Sequence, residues 1–407
     1  MPPSNKAVLL LAVSLCVAAC SSPPCTLAAA AKGGKPLVTP IAKDAATKLY
    51  AAPLKGGRPL VLDLSGPTIS YTCDPRRPAP ALTILSANAT DGTNPLYPVS
   101  FPAAASCLPA SSLGGKLPAG VAGLASSSAA LPAQVARTQV TMQALRTAPP
   151  DMQLKDKFLV QTTVVPYGTS DEDHFLLCLP RTGDGVAIFG GGPLFLTTIT
   201  GYPFADDFTS ALTYTPLLSK GGSSSYYLPV KVIAVNGARV KLPGGALANG
   251  GVVLSTTAPY TALRPDLYRP FVDAFDKALK KQSNSKRVSA MAPFELCYDS
   301  STLPGPTRIG WLVPNIDIML EGGKNWTFIA GLNTMVDVNS FTAACFAFVE
   351  MKPKKNGGGY SGAPAVEIGG FQMENHVLQF DLEKKQLGFT MLQIFTSCSH
   401  FNFTLSH

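Results

Sequence analysis

Apolar residues in this chain gather in short runs separated by glycine, proline and serine, and only one segment follows a helical period. Leu60 to Leu64, Leu82 to Leu85 and Val186 to Phe189 are runs of strand length bounded by turn-forming residues. Tyr227 to Val235 reads as one arm of a hairpin, with Asn236-Gly237 as its turn because both residues tolerate positive φ. The exception follows Arg264. Leu267, Phe271, Phe275 and Leu279 recur every four residues, Pro265 suits a first helical turn, and Asp273 and Asp276 precede Lys280 and Lys281 as the helix dipole favours. That spacing predicts an amphipathic helix whose apolar stripe is core packing. The remainder reads as mostly β.

One pattern occurs twice. Val61-Leu62-Asp63-Leu64-Ser65-Gly66-Pro67 puts two apolar residues into a strand, an acid at its end, and small residues that let the backbone turn tightly. Gly250-Gly251-Val252-Val253-Leu254-Ser255-Thr256-Thr257-Ala258-Pro259 repeats it, and setting Asp63 on Ser255 also sets Pro67 on Pro259. One copy carries an acid and the other a hydroxyl.

Length and composition allow two such halves. A chain of 407 residues, 46% of them hydrophobic, buries two ordinary cores more readily than one. The net charge of +8 comes from 33 Lys and Arg against 25 Asp and Glu, with no dense basic run interleaved with aromatics, which argues against nucleic acid as a partner. The cations from Lys277 to Arg287 are expected to coat a solvated helix end, and the basic surface to attract acidic partners or cell-wall polyanions weakly.

The N-terminus reads as an export signal over residues 1–31. Lys6 precedes the uncharged run Ala7 to Cys20, Ser21-Ser22-Pro23-Pro24 ends that run too early for a membrane span, and Ala28 to Ala31 offer a cleavage site. The mature protein is therefore expected to be secreted, extracellular and without a membrane anchor. Three of nine cysteines fall in this leader; Cys73, Cys107, Cys178, Cys297, Cys345 and Cys398 remain. An even six in an exported chain implies three disulfides, with 15 connectivities open. There is no Cys-x-x-Cys, and His174 with Cys178 lacks nearby ligands, so no metal is expected. The glycines at 190 to 192 lack the Lys-Ser/Thr of a phosphate loop, so no cofactor is expected either. Asn88, Asn325 and Asn402 head N-glycosylation sequons.

The paired loops resemble the two Asp-Thr/Ser-Gly loops of pepsin-like aspartic proteases. Leu117 to Leu124 and Ala365 to Phe371 resemble the closing strands of the two lobes. Phe175 to Pro180, Gly185 to Pro193, Ala292-Pro293-Phe294 before Cys297-Tyr298-Asp299, and Phe380 to Lys385 before Leu387-Gly388-Phe389 are similar to the plant TAXI-type xylanase inhibitors. The resemblance implies a mostly β, bilobal fold, with an N-terminal lobe over 32–183 and a C-terminal lobe over 184–407. It also implies the pairs Cys73 with Cys107, Cys178 with Cys398, and Cys297 with Cys345.

Four departures bear on function. Ser255 replaces the second catalytic acid, leaving Asp63 and Ser255 as a remnant dyad, and Asp63 is expected to remain as a hydrogen-bonded structural acid between the lobes. Leu64 stands where the family's Thr or Ser hydroxyl braces the loops, and Ser65 and Thr257 stand where it has glycine. Between Cys73 and Cys107 the flap, a hairpin that closes over bound peptide, is shortened away. Residues 146–173 look inserted. The resemblance therefore implies a proteolytically inactive, monomeric plant defence protein whose partner is a microbial family 11 endoxylanase or another glycoside hydrolase. Leu303 and Ile394 are its candidate contacts. The family's inhibitory His is Ile394 here, which implies inhibition weakened or redirected; His400 substitutes only if the tail bends back. A peptide-binding or storage role like that of basic seven-S globulins, and residual endopeptidase activity, are the alternatives.

Overall fold

The computed structural model describes residues 35–72, 82–108, 119–137, 174–197, 205–353 and 358–404. The leader, Cys73 and the inserted stretch 146–173 lie outside the described residues. Strands dominate. In lobe one they are β1 (Leu37–Lys43), β2 (Tyr50–Lys55), β3 (Arg58–Asp63), β4 (Ile69–Thr72), β5 (Leu82–Thr90), β6 (Pro95–Leu108) and β7 (Gly120–Gly123), followed by β8 (His174–Cys178) and β9 (Asp184–Phe189). The period-two pattern is plain in β2, where Tyr50, Ala52 and Leu54 face the core and the residues between them do not. Leu60, Val61 and Leu62 of β3 are all buried because this strand is covered on both faces.

Each lobe contains the same interlocked motif. In lobe one β3 runs parallel to β7, β7 antiparallel to β4, and β4 parallel to β6. In lobe two the strand Val252–Leu254 runs parallel to Val366–Ile368, that strand antiparallel to Thr261–Leu263, and the last parallel to Phe348–Glu350. Asp63 and Ser255 thus leave equivalent strands.

A shared platform joins the halves. β9 pairs with β1 from Leu37↔Phe189 to Ala42↔Asp184, β8 pairs with β9, and the strand His376–Asp381 lies between β8 and Gln386–Met391. Residues 179–183 therefore link two neighbouring strands of this sheet. Phe175 and Phe380 stack at 4.5 Å with planes 1° apart, and Tyr226 packs beside them. Cys178–Cys398 ties the C-terminal segment to the platform, and Cys297–Cys345 joins paired strands of lobe two, both as the resemblance implies. Cys107 is disulfide-bonded.

The expected helix spans Pro265–Gln282, with Leu267, Phe271, Phe275 and Leu279 buried; Phe271 packs on Phe346 and Phe348, and Phe275 stacks on Phe346. One expectation needs correcting. Asn236-Gly237 does turn a hairpin, but its arm is only Val230–Val235; Pro229, which has no N–H to donate, separates it from Tyr227–Leu228 in another sheet. The cations from Lys277 to Arg287 are all exposed, as expected, and two of them also hold a buried acid. Asp276 is buried and accepts from Arg287 Nε and Tyr298 Oη at 2.8 Å each, while Lys280 pairs with its other oxygen at 2.8 Å.

Candidate functional site between the two loops

The lobes meet at the paired loops. The Thr256 hydroxyl, wholly buried, donates to the Leu62 carbonyl at 2.6 Å and accepts from the Leu64 N–H at 3.1 Å. These two groups flank Asp63, and Ser255 immediately precedes Thr256, so one side chain brings the remnant dyad positions into one constellation. Half of the expected brace is therefore present. Leu64, fully buried, fills the reciprocal position with apolar volume and no hydroxyl.

The Asp63 carboxylate is held by its own loop. Oδ1 accepts from the Ser65 N–H at 2.9 Å and the Ser65 hydroxyl at 2.6 Å. A Cβ on Gly66 would lie 2.8 Å from Asp63 Oδ2 and 3.1 Å from the Gly123 Cα, which explains the glycine there. Ser255 is buried, and its hydroxyl accepts from the Ala258 N–H at 3.2 Å and lies 3.3 Å from Thr257 Oγ1. The carboxylate is thus hydrogen-bonded within lobe one and the serine within lobe two.

Aspartic protease chemistry needs two carboxylates about 3 Å apart sharing a proton, one to activate water and the other to protonate the carbonyl. Serine carries no charge at any accessible pH, so this site holds one carboxylate. Nor does a described hairpin overhang it. The hairpin β5–β6 has its tip fixed elsewhere: Phe195 donates its N–H to Gly92 at 2.9 Å, and Asn402 Nδ2 donates to Asn94 Oδ1. Its end pairs with β1 at Leu37, five residues or roughly 17 Å of strand from Ala42, and Ala42 is level with Ala51 and Val61 beside Asp63. The tip therefore lies at the opposite end of these strands from Asp63. Residues 73–81 and 109–118 of the expected flap segment lie outside the described residues.

Sequence reasoning missed two further interlobe contacts. Tyr226 Oη donates to the Leu124 carbonyl at 2.7 Å, and the Leu124 N–H donates to the Asp63 carbonyl at 2.7 Å. Burial pushes the Tyr226 phenol far above its ordinary pKa, so it stays a donor. The second contact is Glu374, completely buried, which accepts from Tyr50 Oη at 2.8 Å and pairs with Lys43. Burial raises the Glu374 pKa, opposed by Lys43, Tyr50 and the Arg181 charge. Its other oxygen and His376 Nε2 have no hydrogen-bond partner among the described residues, and burial lowers the His376 pKa to about 4. The polar run Gln372, Glu374, Asn375 and His376 amid apolar neighbours was the available signal.

The candidate partner contacts separate. Leu303 is 5% exposed and belongs to the core, so the structure overturns its assignment as a surface contact. The turn Ser300–Thr302, capped by Asp299, delivers it inward. Ile394 is 55% exposed and Phe395 beside it 48%. Arg308, from the loop after Leu303, stacks its guanidinium 5.0 Å from the Phe395 ring, so the two loops do meet, through a different residue. His400 does not replace the missing His. Its Nδ1 accepts from the Ser397 N–H at 3.4 Å, and its carbonyl accepts from the Thr197 hydroxyl. Asn325 and Asn402 are exposed, whereas Asn88 is half-buried in β5 between β1 and β6. No cluster of metal-ligating side chains occurs among the described residues.

The comparisons agree with this geometry. Residues 225–391 match the model of the xylanase inhibitor C-terminal family. Over 98% of this chain and 99% of its own length, a rice (Oryza sativa subsp. japonica) protein named Chitinase CLP is 43% identical. The chain belongs to the TAXI-type branch of the pepsin-like aspartic protease family. Its solved relatives include edgp, with a TM-score of 0.73 and 26% identity over 91% of this chain and 98% of that one. Soybean basic 7S globulin, at 20% identity, shares the fold with a TM-score of 0.65 over 90% of this chain and 98% of that one. This TAXI-type chain thus has the bilobal pepsin-like fold, and its site keeps one acid and half a brace.

Proposed function

We propose that this protein is a secreted, monomeric, proteolytically inactive aspartic-protease-like protein. Its role is to capture a microbial glycoside hydrolase in plant defence, with family 11 endoxylanases as first candidates. One observation carries the reading: Ser255 occupies the second acid position in loops that Thr256 still braces, so the scaffold is kept while its two-carboxylate chemistry is not. The xylanase inhibitor match over lobe two supports the class of partner. The exposed group formed by Ile394, Phe395 and Arg308 is the surface on which capture is proposed. Ile394 fills space without pairing with a catalytic carboxylate, and the cation that meets its neighbour Phe395 is Arg308.

The test is residual xylan hydrolysis by a panel of fungal and bacterial family 11 xylanases as purified protein is added. Stoichiometric loss of activity supports capture; no loss across the panel rejects xylanase inhibition. Ile394→His would then report whether one side chain removed it. Loss of inhibition on truncating one partner of a buried charged contact is commonly about 2–5 kcal/mol, so a restored His should be easy to see.

A second reading has its own observation: the full-length relative is named a chitinase. Glycoside hydrolysis ordinarily uses two carboxylates flanking the bond, and the loop site offers Asp63 alone. Release of reducing ends from colloidal chitin by this protein, abolished by Asp63→Asn, would favour that reading over capture. Peptide storage and residual proteolysis predict neither outcome.

A further inference from the structure

A second concave site lies at the other end of the lobe-two motif. Asn249 and Gly250 lead into the strand Val252–Leu254, Ala363 leads toward its parallel partner Val366–Ile368, and Arg264 leaves the antiparallel strand Thr261–Leu263. All belong to the strand ends remote from Ser255, with about 10 Å of strand between. Together with Lys220, Tyr227 and Tyr360 they line an open cleft of about 690 Å³.

The wall chemistry narrows the ligand. The Arg264 guanidinium is engaged inside the protein. Nε and Nη2 donate to the Asp266 carboxylate at 2.8 and 2.9 Å, Nη1 to the Asn249 carbonyl at 2.7 Å, and Nη2 also to the Ala246 carbonyl at 3.3 Å. A guanidinium has five N–H donors, so little remains for an anion. Asp266, 42% exposed, brings carboxylate lone pairs to the same wall and repels an anion further. A cationic ligand meets Lys220, whose ammonium donates to the Ala248 carbonyl at 3.1 Å and lies 5.5 Å from the Tyr227 ring. An apolar ligand would desolvate these groups without pairing them. What the wall offers is acceptors and donors side by side with tyrosine rings between them. A sugar hydroxyl both donates and accepts, and its ring face packs on aromatic surface, so a neutral oligosaccharide satisfies the wall where a phosphate or an ammonium does not.

We infer that this cleft binds a neutral oligosaccharide of the cell-wall type. The site is separate from the Ile394 surface, and the inference stands or falls independently of enzyme capture. The experiment titrates the full protein with xylohexaose and, separately, chitohexaose, with hexagalacturonate and inorganic phosphate as charged comparisons, read by saturation-transfer NMR. Gly221→Trp is the blocking variant. Gly221 lines the cleft, a Cβ added there would meet nothing within 4 Å, and its backbone is not left-handed, so a larger side chain can start there from open space at the cleft wall. Lys220→Ala is the second variant, and Lys231→Ala, exposed on the strand Val230–Val235 and absent from the cleft wall, the control.

Saturable binding of either neutral hexamer is expected, weakened at least 10-fold by Gly221→Trp and several-fold by Lys220→Ala, and unchanged in the control. Preference between the two hexamers assigns a plant or a fungal source. The inference is overturned if neither neutral hexamer binds saturably, if Gly221→Trp binds as well as the parent, or if hexagalacturonate or phosphate binds more tightly.

Discussion

The Thr256 hydroxyl donates to the Leu62 carbonyl at 2.6 Å across a separation of 194 residues. It also takes the Leu64 N–H, so one side chain satisfies two buried backbone groups of the facing loop. Thr256→Val keeps the shape and leaves both groups unpaired. At about 1–3 kcal/mol for each buried unsatisfied group, a loss of about 2–6 kcal/mol is expected in urea unfolding, with Thr256→Ser close to the parent. A Val variant within about 0.5 kcal/mol of the parent would mean that the brace contributes geometry without stability.

Restoring the acid alone should not restore proteolysis. Ser255→Asp supplies a second carboxylate, but Leu64 still lacks the reciprocal hydroxyl and Ser65 still occupies Asp63 Oδ1. Hydrolysis of acid-denatured globin between pH 3 and 5, conditions suited to a carboxylate dyad, is expected to stay at background for the parent and the single variant. Turnover by the parent would reject inactivity.

Asp276 sets one side of the acid limit. Burial works to raise its pKa, but hydrogen bonds from Arg287, Lys280 and Tyr298 outweigh it, and the folded value lies below 3.8. Its contribution is therefore complete above the unfolded pKa and disappears as pH falls through the lowered folded one. Asp276→Asn should cost about 1.5–3 kcal/mol at pH 7, as expected for bonds to a charged group. The gap from the parent should narrow steadily as melts are run at pH values falling below the ordinary carboxylate range.

Glu374 has the opposite sign. Its folded pKa lies above 4.5, so protonation favours the folded state as pH falls through that raised value. Lys43→Met would leave the buried carboxylate without its counter-charge, at about 3–5 kcal/mol near neutral pH. Thermal unfolding at pH 7 and pH 4.5 should show the larger deficit at pH 7. Equal deficits would indicate that Lys43 acts through packing alone.

Local rules carry the elements and tertiary contacts carry the site. The helix Pro265–Gln282 is legible because a four-residue apolar period and a leading Pro are local signals. The repeat of Asp63 and Ser255 is legible because a strand, a small-residue turn and a proline recur in register. Asp276 reads in sequence only as a helix-dipole charge, since neither Arg287 nor Tyr298 is adjacent to it along the chain.

The sequence by itself determined that one of two equivalent loops carries no acid, because the identity of residue 255 requires no coordinates. It also determined a mostly β chain in two related halves, because apolar period and turn residues act over a few positions. Only the tertiary structure decided that Thr256 still braces the loops, that Leu303 is core while Ile394 and Arg308 are presented, and that Glu374 is buried between Lys43 and Tyr50. Each of these depends on which distant segments the shared sheet brings within hydrogen-bond or van der Waals range, and that range is set by packing, not by position along the chain.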